Sequence, residues 1–308
     1  MRIVFFGSPD FALPSLEALV AAGHELALVV SQPAKPVGRS AELSDPPVAR
    51  RANSLGLPLF QPPTLKDAAA VARLAQTHAD LFVVVAYGKI LAQRVLDLPR
   101  LGCVNVHGSV LPRWRGASPV QAALLAGDAE SGVSIMRMEA GMDTGPLYAA
   151  SRRPIAPGEN AGSLSARLAR DGAELLVATL PRLEAGAIAP APQDEALATL
   201  CPKIRREDGQ ADFARPAPEL ARRLRAFTPW PGLFAFRGGR RVKLLEAAEA
   251  AGRAGAAPGE VLAAGEEIVV ACGDGALAVT RLQAEGRKPL DAGSFSRGER
   301  VAPGERWS

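Results

Sequence analysis

The sequence predicts an α/β protein in two parts, a Rossmann-like parallel sheet forming the N-terminal domain and a smaller C-terminal β-barrel of OB-like form. Three observations carry this. Over the first 150 residues, short and almost continuously apolar runs alternate with amphipathic helical stretches, the pattern of βαβ units whose strands are buried on both faces. Near residue 190 the chain becomes Ala- and Pro-rich (AIAPAPQDEALATLCPKI), as linkers do. Beyond residue 207, short β-like runs follow one another with turn signals and without intervening helices, which suits a small barrel. The expected boundaries are 1–189 for the Rossmann-like domain, 190–206 for a linker and 207–308 for the barrel.

The elements follow in order. RIVFF (2–6) is the first strand, FALPSLEALVAAG (11–23) a helix and LALVV (26–30) the second strand. A helical stretch at 67–78 precedes the strands LFVVVAYG (81–88) and GCVNVHG (102–108). The helix-like PVQAALLAGD leads to the strand GVSIMRM (132–138), and a long helix is expected at 163–185. After the linker, PELARRLRAF reads as a helix, and GLFAFRGGRRVKLLEA, GEVLAAG, EIVVACGDG and ALAVTRLQAEG as barrel strands and turns.

Composition sets bounds on function. Hydrophobic residues make up 48% and charged residues 22% of 308, enough for a buried core. The apolar run before Gly7 is far shorter than a membrane span or signal-peptide core, so neither is expected. The three cysteines are scattered and odd in number, which predicts a reducing cytoplasm rather than a disulfide framework. The net charge of +4 is unevenly placed. Residues 1–200 hold 18 Lys/Arg against 18 Asp/Glu, and residues 201–308 hold 18 against 14. Lys203 to Lys243 alone carries 11 basic and 4 acidic residues, either a solvated basic face or a surface for a polyanion.

The first turn, GSPDFA, lacks the later glycines of the dinucleotide fingerprint, so NAD binding is not expected. The chain has no H-E-x-x-H, no cysteine pair at ligand spacing and no G-x-S-x-G elbow, which leaves no metal site and no hydrolase elbow to predict. The strand CVNVH offers something else. Side chains alternate along a strand, so Asn105 and His107 share one face at its C-terminal end, where open α/β sheets place their ligands. Further on, AGMDTGPLY brackets Asp143 between glycines, in a tight loop expected to bring a carboxylate to the same edge of the sheet. Apolar Met142 and Leu147 beside it predict a desolvated carboxylate. An amide that donates to a developing oxyanion, an imidazole that moves a proton and a carboxylate that orients it form an acyl-transfer set.

These residues stand in a longer pattern. NVHGSVLPRWRGASPVQAALLAGD followed by GVSIMRMEAGMDTGPLY resembles the folate-dependent formyltransferases. The likeness continues through IVFFGSPDFALPSLEAL, SQPAKPVGR, VVVAYGKIL, RAFTPWPG and LQAEGRKPLDAGSF, over essentially the whole chain. RAFTPWPG and the C-terminal block resemble the branch whose acceptor is methionyl initiator tRNA. The resemblance implies transfer of a formyl group from 10-formyltetrahydrofolate, without a metal, to the α-amino group of the charged tRNA. It puts catalytic roles on Asn105, His107 and Asp143. It places folate contacts on Ser109, Val110, Leu111 and Pro112, with Ala86, Tyr87 and Gly88 lining the pterin pocket. It implies tRNA contacts at Arg39, Lys203, Arg205, Arg206, Arg240, Arg241 and Lys243, with Trp230 as a packing anchor between its prolines. Where the family carries further basic residues after Arg39, this chain has Ala41 and Glu42. A monomer is implied, and no membrane partner. The trio alone also fits a formyltransferase acting on an amino sugar nucleotide or another small amine, or a formyl-folate hydrolase; the basic C-terminal third alone fits a noncatalytic tRNA-binding module.

Overall fold

The computed structural model describes residues 1–37 and 42–308, which divide into two compact units. The first comprises Met1–Pro119, Glu130–Pro154 and Ser165–Cys201, and the second Val120–Ala129, Ile155–Leu164 and Pro202–Ser308. Along the chain the helices are α1 (Leu13–Ala21), α2 (Pro47–Ser54), α3 (Ala68–Ala75), α4 (Gln93–Leu96), α5 (Pro119–Ala126), α6 (Ala161–Glu184), α7 (Ala217–Phe227) and α8 (Ala292–Glu299). Among the described residues no helix is long and apolar enough to cross a membrane.

The strands of the first unit are β1 (Arg2–Gly7), β2 (Glu25–Val30), β3 (Lys35–Val37), β4 (Glu42–Ser44), β5 (Leu59–Phe60) and β6 (Leu81–Val85). They continue with β7 (Cys103–His107), β8 (Arg115–Gly116), β9 (Glu130–Arg137), β10 (Leu147–Pro154) and β11 (Leu200–Cys201). The main sheet has the order β10-β9-β7-β6-β1-β2-β5. Its five strands from β7 to β5 run parallel, as the apolar runs predict. Alternation sorts their side chains into two cores. Ile3, Phe5, Val83, Val104 and Val106 pack on one face, and Val4, Phe6, Phe82, Val84 and Cys103 on the other. Burying a side chain of this size stabilises the fold by about 1.5–3 kcal/mol, so a one-residue slip in any central strand is excluded.

The sheet departs from the expected all-parallel form at one edge. β9 pairs antiparallel with β7, and β10 antiparallel with β9. The register sets Asn105 opposite Met136 and Val104 opposite Arg137, so the loop after β9 leaves near the start of β7 rather than near its end.

In the second unit β12 (Leu233–Arg237), β13 (Arg240–Ala250), β14 (Val261–Ala264), β15 (Ile268–Ala271), β16 (Ala276–Ala284) and β17 (Leu290–Asp291) form an antiparallel sheet ordered β12-β13-β16-β15-β14, with β17 on β16. The chain's last residues bridge its two open edges. Ser308 exchanges backbone hydrogen bonds with Phe236 beyond β12, while Trp307 N donates to Gly259 O at 2.8 Å beside β14. The sheet therefore closes into the barrel that the dense short strands predict, which leaves no long unpaired edge. Trp307 is 1% exposed and plugs the seam.

Candidate active site

β7 places the polar pair because its odd and even residues have different tasks. Val104 and Val106 are pinned in the core, which turns Asn105 and His107 to the opposite face. Asn105 is half-buried and His107 almost fully so. The His107 ring is fixed from both sides. Nε2 lies 2.9 Å from the carbonyl oxygen of Trp114, and a carbonyl only accepts, so Nε2 carries the proton of that bond. Nδ1 faces Asp143 Oδ2 at 3.7 Å.

Asp143 reaches this position by a tight loop. Since β9 ends opposite Val104, the segment 138–146 must double back along β7 to meet its last residue. Two glycines permit it: a Cβ on Gly141 would lie 2.1 Å from Thr144 Oγ1, and one on Gly145 would lie 1.8 Å from Arg137 O. Asp143 itself sits at φ 55°, and Trp114, the partner on the other side of the ring, at φ 62°. Left-handed backbone at non-glycine residues costs on the order of 1–3 kcal/mol each and persists only where surroundings enforce it. The Asp143 carboxylate accepts a hydrogen bond from Gly116 N at 2.9 Å. The apolar wall expected from Met142 is not formed, because Met142 is 63% exposed.

A set of residues that the sequence did not single out holds this loop. The backbone carbonyls of Asp143 and Gly145 both accept from Gln193 Nε2, at 2.8 and 2.6 Å. Gln193 Oε1 accepts from Arg115 Nε and Nη2, at 3.0 and 2.9 Å, and the same guanidinium grips Glu195 in a fork at 2.8 and 2.7 Å. Arg115 is buried, and the Glu195 carboxylate raises its already high pKa further. Within the segment expected as a linker, β11 pairs with β8.

The segments assigned to the folate donor divide by exposure. Ala86 and Gly88, both at positive φ (47° and 78°), are exposed, whereas Tyr87 between them is buried edge-on against Phe6 with ring centroids 5.5 Å apart. Burial pushes the Tyr87 phenol up to about 12, so it is an anchor. Its carbonyl accepts from Gln32 Nε2 at 2.8 Å. A Cβ on Gly88 would stand 2.7 Å from that same nitrogen, so the Gln32 side chain packs against the bare glycine and the turn after β6 admits no side chain at this position. Ser109 and Leu111 are buried, Ser109 Oγ donating to Arg113 O at 2.5 Å, whereas Val110 and Pro112 keep surface to offer a ligand. Among the described residues, no group of three or more His, Cys, Asp or Glu stands together as metal ligands do.

Of the basic residues, Arg39 lies outside the described residues. In the second unit the pleat of β13 turns Arg241 and Lys243 to one side while Val242 and Leu244 are buried on the other. Burial, and then the nearby charge of Arg206, lower the Arg241 pKa, which puts Arg206 in the same patch. The Arg241 guanidinium lies 3.8 Å from the Phe234 ring centroid. Arg240, the first residue of β13, is instead paired with Glu299 at 3.5 Å. Lys203 and Arg205 are exposed, Arg205 with Glu207 at 3.9 Å. Trp230 is 53% exposed, more open than a packing anchor would be.

Comparison with known proteins matches residues 1–180 to the formyl transferase family and 203–300 to the formyl transferase C-terminal domain. The chain is 48% identical to the methionyl-tRNA formyltransferase of Stutzerimonas stutzeri, over 99% of its own length and 97% of the relative's. In fold it is similar to HypX from Aquifex aeolicus in complex with tetrahydrofolic acid, with a TM-score of 0.66 and 20% identity over 96% of this chain and 47% of that one. It is likewise similar to WlaRD, a sugar 3N-formyl transferase, with a TM-score of 0.65 and 16% identity over 94% and 99% of the two chains.

Proposed function

This chain belongs to the formyltransferase family, aligned over its whole length with methionyl-tRNA formyltransferases, and from that premise we propose how its own residues carry the reaction. It is an enzyme that transfers a formyl group to the α-amino group of methionyl initiator tRNA for translation initiation. The donor is a formyl-tetrahydrofolate, which we assign as 10-formyltetrahydrofolate. The observation that carries the site is the meeting of three separate segments at one carboxylate: Asp143 Oδ2 stands 2.9 Å from Gly116 N and 3.7 Å from His107 Nδ1.

The donor supplies a formyl group already activated by its folate nitrogen, so the protein's tasks are binding, charge stabilisation and proton movement. The α-amino group of the acceptor has a pKa of roughly 8, leaving a neutral nucleophilic fraction near neutral pH. Asn105 donates its amide N–H to the oxygen on which negative charge develops, an interaction typically worth 10²–10³ in rate. His107, its Nε2–H held by Trp114, keeps Nδ1 as the edge that exchanges a proton with Asp143. Asp143 orients that ring and takes the proton released by the attacking amine, directly or through a water; as the bond from the formyl carbon to the folate nitrogen breaks, that proton is returned to the departing nitrogen and tetrahydrofolate is released. The exposed backbone of Ala86 and Gly88, with Val110 and Pro112, receives the pterin. In the second unit Arg206, Arg241 and Lys243, with exposed Lys203 and Arg205, bind tRNA phosphates.

The test offers labelled 10-formyltetrahydrofolate with methionyl initiator tRNA, elongator tRNA, uncharged tRNA and free amines in parallel. Labelling confined to the charged initiator is expected. Labelling of a small amine without tRNA dependence, or release of formate with no acceptor present, sinks the reading.

A further inference from the structure

We propose that Gln193 and Arg115 are positioning residues for formyl transfer: the chain beyond α6 returns as a strap that sets Asp143 for catalysis. The inference rests on the reading of Asp143 as the group that moves the proton.

Asp143 is held at both its backbone and its side chain, and both holds trace to the two residues of β8. The peptide N–H of Gly116 donates to the carboxylate. The guanidinium of Arg115 fixes the Gln193 amide by two bonds to Oε1. With its oxygen so occupied, the amide can present only its nitrogen to the loop, and Nε2 bonds the carbonyls of Asp143 and Gly145 on either side of Thr144. The amide flip is thereby settled by chemistry, since two guanidinium donors demand the oxygen and two carbonyls demand the nitrogen. β8 is itself placed by the strap. Arg115 N donates to Thr199 O at 2.9 Å, Trp114 N to Thr199 Oγ1 at 2.9 Å, and Gly116 approaches Cys201 so closely that a Cβ would lie 2.3 Å from its carbonyl oxygen. Aspartate tolerates the left-handed region better than most side chains, and these bonds hold Asp143 in it. Gln193 bonds only the loop backbone and Arg115, and Glu195 bonds Arg115, while the Arg115 guanidinium also lies within electrostatic reach of the Asp143 carboxylate.

Gln193→Glu tests this with little change of volume. The new carboxylate still accepts from Arg115 but has no N–H for either carbonyl. We expect kcat to fall at least about tenfold, as losses of supporting groups around reactive residues do. KM for tRNA and for 10-formyltetrahydrofolate should stay within threefold. In an Asp143→Asn background the same change should cost less than twofold, because there is no longer a carboxylate to position. A near-normal kcat, or a tenfold loss that persists in that background, overturns the proposal. Glu195→Ala serves if Gln193→Glu does not fold: its carboxylate is 70% exposed, and a threefold or larger loss of kcat with unchanged KM is expected, restored by Glu195→Asp. Unchanged kcat in Glu195→Ala would then overturn it. A wild-type enzyme that fails to formylate methionyl initiator tRNA contradicts the proposed function instead, before any variant is made.

Discussion

The two units hold polar groups in opposite ways. In the first, His107, Asp143, Arg115 and Gln193 are wholly or largely buried and bonded, most of them to backbone whose conformation is itself constrained, with half-buried Asn105 beside His107 on the same strand face. In the second, Lys203, Arg205 and Arg206 stand exposed, and Arg241 and Lys243 lie half-buried along a strand. Chemistry on a single carbonyl needs donors within tenths of an ångström, so it requires groups that cannot move. Attraction of a polyanion acts over about 8–10 Å at ordinary salt, so it tolerates flexible side chains and rewards their number. Damage to the first unit should therefore appear in kcat, and damage to the second in salt-dependent affinity.

The largest effects should come from the buried trio. Asp143→Asn keeps the shape and removes the proton acceptor, and His107→Ala removes the imidazole that faces it; each is expected to lower kcat by at least about 10²-fold with the protein still folded. Single-turnover formylation beside a thermal melt checks both. Turnover near that of the wild type would take the residue out of the mechanism. Gly145→Ala comes next. Its added Cβ would stand 1.8 Å from Arg137 O, so the loop must shift and carry Asp143 with it. A loss of about 10–100-fold in kcat is expected with tRNA affinity unchanged. An equal weakening of tRNA binding would blur the contrast between the units.

How much of this was legible in the sequence depends on range. The central strands, their two buried faces and the shared face of Asn105 and His107 follow from alternation within a few residues, and the glycines around Asp143 announced a tight loop. The direction of β9 did not show, because an apolar run reads the same in a parallel and an antiparallel pairing. Nor did the strap: Gln193 and Arg115 are 78 residues apart, and no local period connects a Pro-rich segment to a loop it will clasp. The exposure of Met142 and Trp230 was misread for a related reason, since neighbours in sequence do not decide what covers a side chain. In the barrel, the alternation of Arg241 and Lys243 with Val242 and Leu244 was visible and could have separated them from Arg240.

That separation gives the smallest effects and the sharpest contrast within the second unit. Each phosphate contact contributes roughly 0.7–0.9 to the slope of log affinity against log salt. Arg206→Ala and Lys243→Ala should each flatten the slope for initiator tRNA by about that much, weaken binding a few-fold at low salt and leave kcat at saturating tRNA intact. Arg241→Ala should do the same and also lose the cover over Phe234, which adds a modest drop in stability of about 0.5–1 kcal/mol. Arg240 carries the same charge in the same tetrapeptide, yet its guanidinium lies 3.5 Å from the Glu299 carboxylate, and a phosphate would have to displace that partner. Arg240→Ala is therefore expected to change the slope by less than half as much as Arg241→Ala. Binding measured across a salt series for the four variants decides the matter. If all four flatten the slope equally, only the number of charges counts, and the face that the pleat of β13 gives each side chain has no part in tRNA binding.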